Sequence, residues 1–341
     1  MSPPSPTHHN IVHLQADFTS VVEFDLPAPH TYTNIIYPLT ALSDLHERIR
    51  DATIITFANI KLDAVTLSPE VSPHLKFIAI VATGTDCVDL EACRKRGIVV
   101  SNCPSANIES VSEHALGLYF ATRRRMFDVH MLTRAGEWRP GQSPIARMLD
   151  SDGERPLTCQ EEVVGIVGNG NVGKRIATLA RALGMTVMIS GRKTSSNPNL
   201  SNGFSDDQRV PFETVMKQST VIFLAVPLTS STKNLISTPE FESMSPHAVL
   251  VNVSRGGVVD EEALVQALKE NQIAGAATDV FREEPADPAN SPLLAEDTKD
   301  LNLVVTPHVA WAARKTKVNQ NRMTKQIVED WAAGSPSNLV I

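Results

Sequence analysis

The sequence predicts an α/β protein made of two Rossmann-like domains, each with a doubly wound parallel sheet. A glycine-rich turn lies between an apolar, β-branched run (163–167) and a helical pattern that stops at Gly184. Short apolar runs and helical stretches alternate along most of the chain, which is typical of parallel sheets. With 341 residues the chain is long enough for two such domains, and only one of its α/β regions carries the glycine motif.

Composition excludes several classes of protein. The net charge of −7 and the absence of a basic stripe argue against a nucleic-acid partner. No apolar run is long enough to span a bilayer, and the N-terminus does not resemble a signal peptide, so we expect no membrane partner. The four cysteines have no disulfide or metal-site spacing, which favours a reducing, cytoplasmic location and predicts no metal site.

The N-terminal region predicts a small parallel sheet without a dinucleotide motif. Residues 1–9 are rich in proline and are expected to be disordered, with His8 and His9 in a flexible tail. The strand-like runs are 11–14, 35–36, 53–57 and 77–81, and the helical stretches between them include 42–49 and 62–68.

A turn at Thr83 and Gly84 follows the last of these strands, at the edge where parallel sheets bind ligands. Its backbone N–H groups are candidate donors to a substrate carboxylate. For the side chains of Asp86 and Asp89 we favour ordinary helix capping. A further strand is predicted at 98–100, followed by a loop at 102–104.

Ser110 and Glu113 have capping-box spacing and predict the start of a long apolar helix, a candidate crossover into the second domain. We interpret His114 on this helix as a structural, hydrogen-bonding residue. The arginines 123–125 are expected at a solvated helix end, where cations suit the helix dipole. Residues 139–161 then form a predicted loop that leads to the glycine motif.

The glycine motif predicts a dinucleotide site. Gly168, Gly170 and Gly173 have G-x-G-x-x-G spacing between a strand and a helix, and a second apolar run follows at 185–189. The first permits a tight turn, the second lets the backbone approach the pyrophosphate, and the third lets helix and strand pack closely. The predicted phosphate-binding residues are Gly168, Asn169, Gly170, Asn171, Val172 and Gly173, because N–H groups of a first helical turn bind anions.

The end of the second strand indicates the cofactor. An acid that binds the ribose of NAD usually lies about twenty residues after the first glycine. Here Ser190 and Gly191 are followed by Arg192 and Lys193, so no carboxylate repels a 2′-phosphate. Arg192 offers a planar fork for the phosphate and Lys193 adds charge, so Ser190, Arg192 and Lys193 are predicted to bind the cofactor. We therefore predict NADP(H), with NAD(H) as the alternative. Both basic residues also fit the start of a solvated loop, predicted over 194–209.

Four later strands are predicted at 221–226, 249–253, 274–279 and 303–306. Arg255, Asp279, Glu284 and His308 follow the last three at their carboxyl ends, and Asp260 starts a helix. Arg255 can bind a carboxylate in bidentate fashion. His308 can exchange a proton with a carbonyl oxygen, and Glu284 can fix its tautomer and raise its pKa. Asp279 can orient neighbouring groups or the cofactor amide.

These residues lie in stretches that resemble the D-isomer-specific 2-hydroxyacid dehydrogenase family. The similar stretches span nearly the whole chain and are ATGTDCVDL, RGIVVSNCPSANIESVSEHALGL, GIVGNGNVGKRIA, VPLTSSTKNLI, VNVSRGGVVDEEAL, ATDVFREEP and TPHVAW. The resemblance implies a homodimer with a substrate domain (1–107 and 307–341) and an inserted cofactor domain (108–306).

The resemblance also implies site roles. Arg255 binds substrate, Glu284 pairs with His308, and His308 is the acid/base. The implied cofactor site is lined by Val226, Pro227, Thr232, Val253, Ser254, Asp279 and Ala310. Thr83 and Gly84 are implied at the carboxylate end of the substrate, with Arg255 and His308 also contacting it.

The implied substrate is a small 2-keto acid or its D-2-hydroxy acid. Gly191 and Arg192 are similar to the glyoxylate/hydroxypyruvate reductase branch, and TPHVAW is similar to glycerate dehydrogenases. Alternatives are action on formate, phosphite, 3-phosphoglycerate or D-lactate, or a dinucleotide-sensing binding protein of the corepressor type. The choice of acid depends on pocket side chains such as Trp138 or Trp311.

Overall fold

The computed structural model describes residues 7–141, 143–150, 153–193 and 209–341. Contacts divide the chain into two compact units. The first comprises residues 1–107 and 312–341, and the second comprises residues 108–311, inserted between these two segments. Both are parallel α/β units, so the predicted fold class is confirmed.

The first unit contains a five-stranded sheet with helices. Its elements are β1 (Thr7–His13), β2 (His30–Ile36), α1 (Leu42–Ile49), β3 (Ile54–Phe57), β4 (Phe77–Ile80), α2 (Leu90–Arg96), β5 (Val99–Asn102) and α9 (Arg314–Ala332). The strand order is β2-β1-β3-β4-β5 and every pair is parallel. The strands β3 and β4 are buried along their whole length, which explains their uninterrupted apolar sequence.

The order of this sheet reverses between β1 and β3, the position at which such sheets usually bind a ligand. Here the side chain of Gln15 fills that position. Its amide nitrogen donates to Asn59 Oδ1 at 2.7 Å, and its oxygen accepts from the backbone N–H groups of Ala58 and Asn59. The geometry therefore agrees with the absence of a glycine motif in this unit.

Two predictions in the first unit are wrong. Of residues 1–9, which were expected to be disordered, residues 1–6 lie outside the described part of the chain. Residues 7–9 belong to β1, and His9 is buried with its Nε2 2.9 Å from His30 Nδ1. Pairing with β2 along seven registered residues orders this segment although its composition suggests a tail. The helix predicted over residues 62–68 is also absent: Leu62 forms a β-bridge with Val88, and residues 64–67 form turns. The predicted cap is confirmed at Asp89, which accepts from the N–H of Ala92 at 2.9 Å.

The second unit contains a seven-stranded sheet. Its helices are α3 (Ile108–Arg123), α4 (Met126–Arg134), α5 (Asn171–Ala182), α6 (Phe212–Gln218), α7 (Thr238–Ser243) and α8 (Glu261–Lys269). Its strands are β6 (Val163–Val167), β7 (Thr186–Ser190), β8 (Arg209–Val210), β9 (Val221–Leu224), β10 (Val249–Asn252), β11 (Gly275–Thr278) and β12 (Leu303–Val305). Short 3₁₀ turns lie at 144–148, 159–161, 256–258, 292–294 and 296–298.

All strands of this sheet are parallel, in the order β12-β11-β10-β9-β6-β7-β8. From β6 the chain runs outward to β7 and β8, and then returns to β9 and runs outward in the other direction. The order therefore reverses between β6 and β9, and loops at their carboxyl ends diverge to leave a crevice. The glycine turn follows β6 and lies at this position.

Two predictions near α3 are also wrong. Ser110 is the third residue of the helix and not its cap, because the helix begins at Ile108. Of the arginines 123–125, Arg124 is exposed as predicted, but Arg123 is buried. The Nε of Arg123 lies 2.6 Å from Glu162 Oε1, and its other nitrogens donate to the carbonyls of His247 and Thr220. Tyr119 donates to the same carboxylate at 2.9 Å, so a buried charge pair ties α3 to the start of β6.

The predicted loop over 194–209 lies mostly outside the described residues, and Arg209 itself begins β8. The predicted cap at the start of α8 is confirmed, since Asp260 accepts from the N–H of Ala263 at 3.1 Å. Within the described residues, no helix has both the length and the apolar character that a membrane span requires.

Candidate active site

The glycine turn after β6 has the geometry of a phosphate-binding loop. Gly168 has a φ of +109°, and a Cβ there would lie 2.3 Å from the carbonyl oxygen of Ala225, after β9. A Cβ at Gly173 would lie 2.0 Å from the carbonyl oxygen of Gly168, so the helix packs directly on the turn. A Cβ at Gly170 would meet nothing within 4 Å, which leaves the start of α5 open to a ligand.

Residues 169–172 lead into the first turn of α5, beside the open space at Gly170. Gly170 is the N-cap and has no side chain to bond the first-turn N–H groups at Asn171 and Val172. Amides in this position and the helix dipole favour a bound anion. The chain therefore fits the pyrophosphate of a dinucleotide here.

The corner after β7 contains two cations in different environments. Lys193 Nζ lies 2.8 Å from Glu240 Oε1 and donates to the carbonyl of Leu235, so its charge is already compensated. The exposed guanidinium of Arg192 makes no hydrogen bond or ion pair with the residues that the structure describes. Ser190 is buried, and its carbonyl accepts from Arg209 at 3.0 Å. Among the described residues, this corner thus offers arginine side chains, and its one neighbouring carboxylate, Glu240, is engaged by Lys193.

Glu284 and His308 form a hydrogen-bonded pair past the ends of β11 and β12. Glu284 Oε2 lies 2.6 Å from His308 Nδ1, and Glu284 Oε1 accepts from the backbone N–H of Phe281 at 3.0 Å. With Nδ1 engaged by the carboxylate, the other ring nitrogen, Nε2, is the atom left for proton exchange with a ligand. Both side chains are about one-third exposed, so the imidazole is accessible.

The pair shifts both acid dissociation constants. The hydrogen bond that His308 donates to Glu284 raises the pKa of His308; burial and the charge of Arg255 oppose it, and the charges of Glu284 and Asp279 support it. Burial alone would raise the pKa of Glu284, but the bonds from His308 and Phe281 and the charges of His308 and Arg255 outweigh it and lower that pKa. The imidazole is therefore held in its protonated form to higher pH than an isolated histidine.

Arg255 follows β10 on the same edge of this sheet. Its Nη1 donates to the carbonyl of Ser254 at 2.8 Å, and its charge acts on both Glu284 and His308. Gly256 explains this placement, because a Cβ there would lie 1.8 Å from the carbonyl carbon of Phe281. The turn that carries Arg255 therefore packs directly on the loop that carries Glu284.

Asp279 holds the backbone that presents His308. Its buried carboxylate accepts from Thr306 Oγ1 at 2.6 Å and from the N–H groups of Val309 and Ala310 at 2.9 and 2.8 Å. Its carbonyl accepts from the N–H of His308, whose φ is +52°. Of the two roles considered for Asp279, this geometry supports the orientation of neighbouring groups.

The other residues predicted at the cofactor site lie at the same carboxyl edge. Thr232 donates to the carbonyl of Pro227 at 2.7 Å and so closes the loop after β9. Ser254 donates to Asn252 Oδ1 at 2.7 Å, and Val253 beside it is buried. Val226 packs against the core, and a Cβ at Gly168 would lie 3.0 Å from its side chain.

Thr83 and Gly84 belong to the first unit. The carbonyl of Thr83 accepts from Asn102 at 2.8 Å, and its hydroxyl donates to the carbonyl of Cys103 at 3.3 Å. The turn after β4 is therefore held by the end of β5 and the residue that follows it.

Three residues that the sequence analysis did not assign to the site support it. Thr306 bridges Asp279 and His114, whose Nε2 lies 3.0 Å from Thr306 Oγ1, so the hydrogen-bonding role predicted for His114 is confirmed. Glu240 neutralises Lys193, and Glu261 binds the loop of Glu284. The position of Thr306, directly before Pro307 and His308, could have indicated its role from the sequence. Nothing in the local sequence indicates Glu240 or Glu261, because their partners are 47 and 21 residues away.

A cation, an acid–base pair and a phosphate-binding turn on one sheet edge suit hydride transfer to or from a small acid. Comparisons with known proteins agree with this chemistry. Residues 116–310 match the family model "D-isomer specific 2-hydroxyacid dehydrogenase, NAD binding domain". The chain is 37% identical over 327 residues to a glycerate dehydrogenase of Methylorubrum extorquens, covering 94% of this chain and 95% of that protein.

Two further relatives have related descriptions. A glyoxylate reductase of Thermococcus litoralis is 35% identical over 303 residues, covering 87% of this chain and 86% of that protein. The structure of an NADPH-dependent glyoxylate/hydroxypyruvate reductase from Sinorhizobium meliloti, in complex with NADP and malonate, matches with a TM-score of 0.73 and 25% identity, covering 98% of this chain and 97% of that one. The chain belongs to the D-isomer specific 2-hydroxyacid dehydrogenase family of NAD(P)-dependent oxidoreductases.

Proposed function

We propose that this protein reduces a small 2-keto acid, such as glyoxylate or hydroxypyruvate, to its D-2-hydroxy acid with NADPH. The observation that carries the proposal is the Glu284–His308 pair, within the electrostatic reach of Arg255 and on the sheet edge of the glycine turn. Relatives described as glycerate dehydrogenase and glyoxylate reductase support the small substrate.

His308 is the proton donor in this proposal. A bound reduced nicotinamide supplies the hydride, and His308 Nε2 protonates the carbonyl oxygen as charge develops there. Glu284 stabilises the protonated imidazole that donates this proton, and its hydrogen bond fixes the tautomer of the neutral imidazole that remains. Because Glu284 raises the pKa of His308, reduction is supported below that raised pKa and falls as the pH rises through it. Oxidation of the hydroxy acid needs the neutral imidazole and has the opposite dependence.

Arg255 binds the substrate carboxylate. A guanidinium offers two parallel N–H donors that match a carboxylate, and it also polarises the adjacent carbonyl. Thr83 and Gly84 are proposed as additional donors to the carboxylate, on the basis of the sequence pattern alone. A 2-keto acid places its carboxylate one bond from the carbonyl carbon, so binding on Arg255 brings the carbonyl oxygen toward the neighbouring His308.

For the cofactor, the corner after β7 supports NADP(H). Arg192 is exposed there, and no acid replaces Gly191 to repel a 2′-phosphate. The relative from Sinorhizobium meliloti is described as NADPH-dependent, which also supports the proposal. Since Lys193 is paired with Glu240, we assign the phosphate contact to Arg192 and not to Lys193.

Arg192→Ala is expected to raise KM for NADPH about 10-fold to 100-fold, because a charge-assisted hydrogen bond to phosphate is worth about 1.5–3 kcal/mol. KM for NADH should change by less than about twofold, since no phosphate is lost. Lys193→Ala is the matched control, and its effect on KM for NADPH should be much smaller. Equal effects of Arg192→Ala on both cofactors would remove Arg192 from the phosphate contact.

We also propose a homodimer and a cytoplasmic location. Within the described chain, no residue of α4 is buried, and Met126, Phe127 and Met131 expose most or nearly half of their surface. Trp138 and Ile145 nearby are exposed as well. An exposed apolar surface of this kind favours association with a second copy. The four cysteines are free thiols, in agreement with a reducing compartment.

The test of the proposed function is the loss of reduced-nicotinamide absorbance with NADPH and with NADH. The panel contains glyoxylate, hydroxypyruvate, pyruvate and longer 2-keto acids, and product chirality is determined for each active acid. We expect fast turnover with NADPH and a small acid, giving the D-hydroxy product. Activity restricted to bulky acids would contradict the substrate class. Bound cofactor without turnover on any acid would favour the dinucleotide-sensing alternative.

A further inference from the structure

Glu261 is a buried carboxylate that the proposed reaction does not use. It is the first residue of α8 and is 2% exposed. Ionised groups are rarely buried unless their oxygens are fully bonded. Both of its oxygens are bonded, to two different positions on one loop.

These two positions flank Glu284. The backbone N–H of Arg282 donates to Glu261 Oε1 at 2.6 Å, and Ser291 Oγ donates to Glu261 Oε2 at 2.8 Å. Glu284 lies between them in sequence, two residues after Arg282 and seven before Ser291. One carboxylate therefore fastens the loop on both sides of the residue that binds His308.

The same helix end is connected to Arg255. The chain passes from Arg255 through a 3₁₀ turn at Gly256–Val258 to α8, which starts at Glu261. Gly256 packs against the backbone of Phe281 and Arg282, the stretch whose N–H groups bind Glu284 and Glu261. A single short segment thus determines where both Arg255 and Glu284 lie.

We propose that Glu261 is a positioning residue that holds Glu284 against His308 and fixes both relative to Arg255. The inference rests on the proposed function, and it adds a residue that contacts neither substrate nor cofactor. The charged groups that face His308 are Glu284, Arg255 and Asp279. Of these, Asp279 is held by its own bonds to Thr306, Val309 and Ala310, so loosening the loop chiefly affects Glu284.

A loosened loop has a measurable consequence. The hydrogen bond that His308 donates to Glu284 is the main cause that raises the pKa of His308. When Glu284 moves away, the pKa of His308 falls toward its ordinary value. Reduction then loses its protonated donor at lower pH, and the basic limb of its pH profile moves downward. If Glu261 merely stabilised the fold, its substitution would lower the melting temperature and leave the basic limb of the pH profile in place.

The test compares pH profiles of kcat for four variants. Glu261→Ala should move the basic limb of reduction to lower pH and lower kcat about 10-fold, in the direction of Glu284→Gln. Glu261→Gln should restore both values. Its amide oxygen still accepts from Arg282, and its NH₂ group donates to Ser291, whose hydroxyl turns to accept. Glu262→Ala is the matched control, because the side chain of Glu262 binds, within the described part of the chain, only the exposed side chain of Arg282.

A second readout does not depend on turnover. The imidazole C–H resonance of His308 is identified by its loss in His308→Asn and titrated in each variant. We expect a lower pKa in Glu261→Ala and an unchanged pKa in Glu262→Ala. If Glu261→Ala does not fold, Ser291→Ala should shift the pKa of His308 in the same direction by a smaller amount.

An unshifted His308 titration in Glu261→Ala or in its substitute Ser291→Ala would overturn the inference, as would an equal shift in Glu262→Ala. A wild-type protein that is inactive on every acid contradicts the proposed function alone. In that case the resonance titration still decides whether Glu261 positions Glu284.

Discussion

Replacing His308 with asparagine is expected to lower kcat for keto acid reduction about 10³-fold, because a positioned general acid contributes about 10²–10⁴-fold. Asparagine cannot exchange a proton near neutral pH, and the remaining rate comes from binding and orientation. The dissociation constant for NADPH should stay within about twofold, since the phosphate-binding turn lies after β6 and does not include His308. Stopped-flow and equilibrium binding measurements give the two values separately.

The choice of asparagine follows from the backbone. His308 has a φ of +52°, a region that asparagine tolerates better than most residues. His308→Gln removes the same chemistry but adds backbone strain, so the two variants should be equally inactive while Gln is the less stable. Turnover of His308→Asn within tenfold of the wild type would assign the proton to another group.

Much of the fold is predictable because the relevant signals are local. The runs at β6, β9 and β10 are apolar because both faces of the sheet are covered, and an uninterrupted apolar run is visible without knowledge of its partners. The glycine turn is equally local, since Gly168 and Gly173 meet each other across five residues. The positions of Arg255, Asp279 and His308 at strand ends follow from these strands together with the rule for parallel sheets.

Long-range partners explain the wrong predictions. Arg123 has the sequence context of a solvated helix end, but its partner Glu162 lies 39 residues later and takes the pair out of solvent. His9 follows a proline-rich stretch, yet pairing with β2 and its contact with His30, 21 residues away, bury it. No window of local sequence contains these contacts.

The details of the site were hidden for the same reason. Glu284 and His308 are 24 residues apart. Their places at strand ends indicate that they can pair, and the family resemblance implies the same pair, but neither gives the geometry of the contact. The left-handed backbone of His308 has no signal in its own residue type. This backbone conformation depends on Asp279, whose carboxylate accepts hydrogen bonds from the N–H groups of Val309 and Ala310. Catalytic geometry of this kind is set by the tertiary structure.

Arg255→Ala is expected to lower kcat/KM for the keto acid about 10²–10⁴-fold, because two charge-assisted hydrogen bonds are worth about 1.5–3 kcal/mol each. Arg255→Lys should recover only part of this loss, since an ammonium group cannot bind a carboxylate through two parallel N–H groups. Added guanidinium should partly restore turnover of Arg255→Ala and have little effect on Arg255→Lys. Steady-state kinetics with one keto acid measures all of these values.

The same variant has a signature in its pH profile. The charge of Arg255 lowers the pKa of His308, so its removal should move the basic limb of reduction to higher pH. Glu284→Gln should move that limb to lower pH, because it removes the bond that raises the same pKa. If the basic limb shifts in opposite directions in Arg255→Ala and Glu284→Gln, both residues act on one titrating group, His308. Shifts in the same direction, or an unchanged kcat/KM in Arg255→Ala, would contradict the arrangement of Arg255, Glu284 and His308 described above.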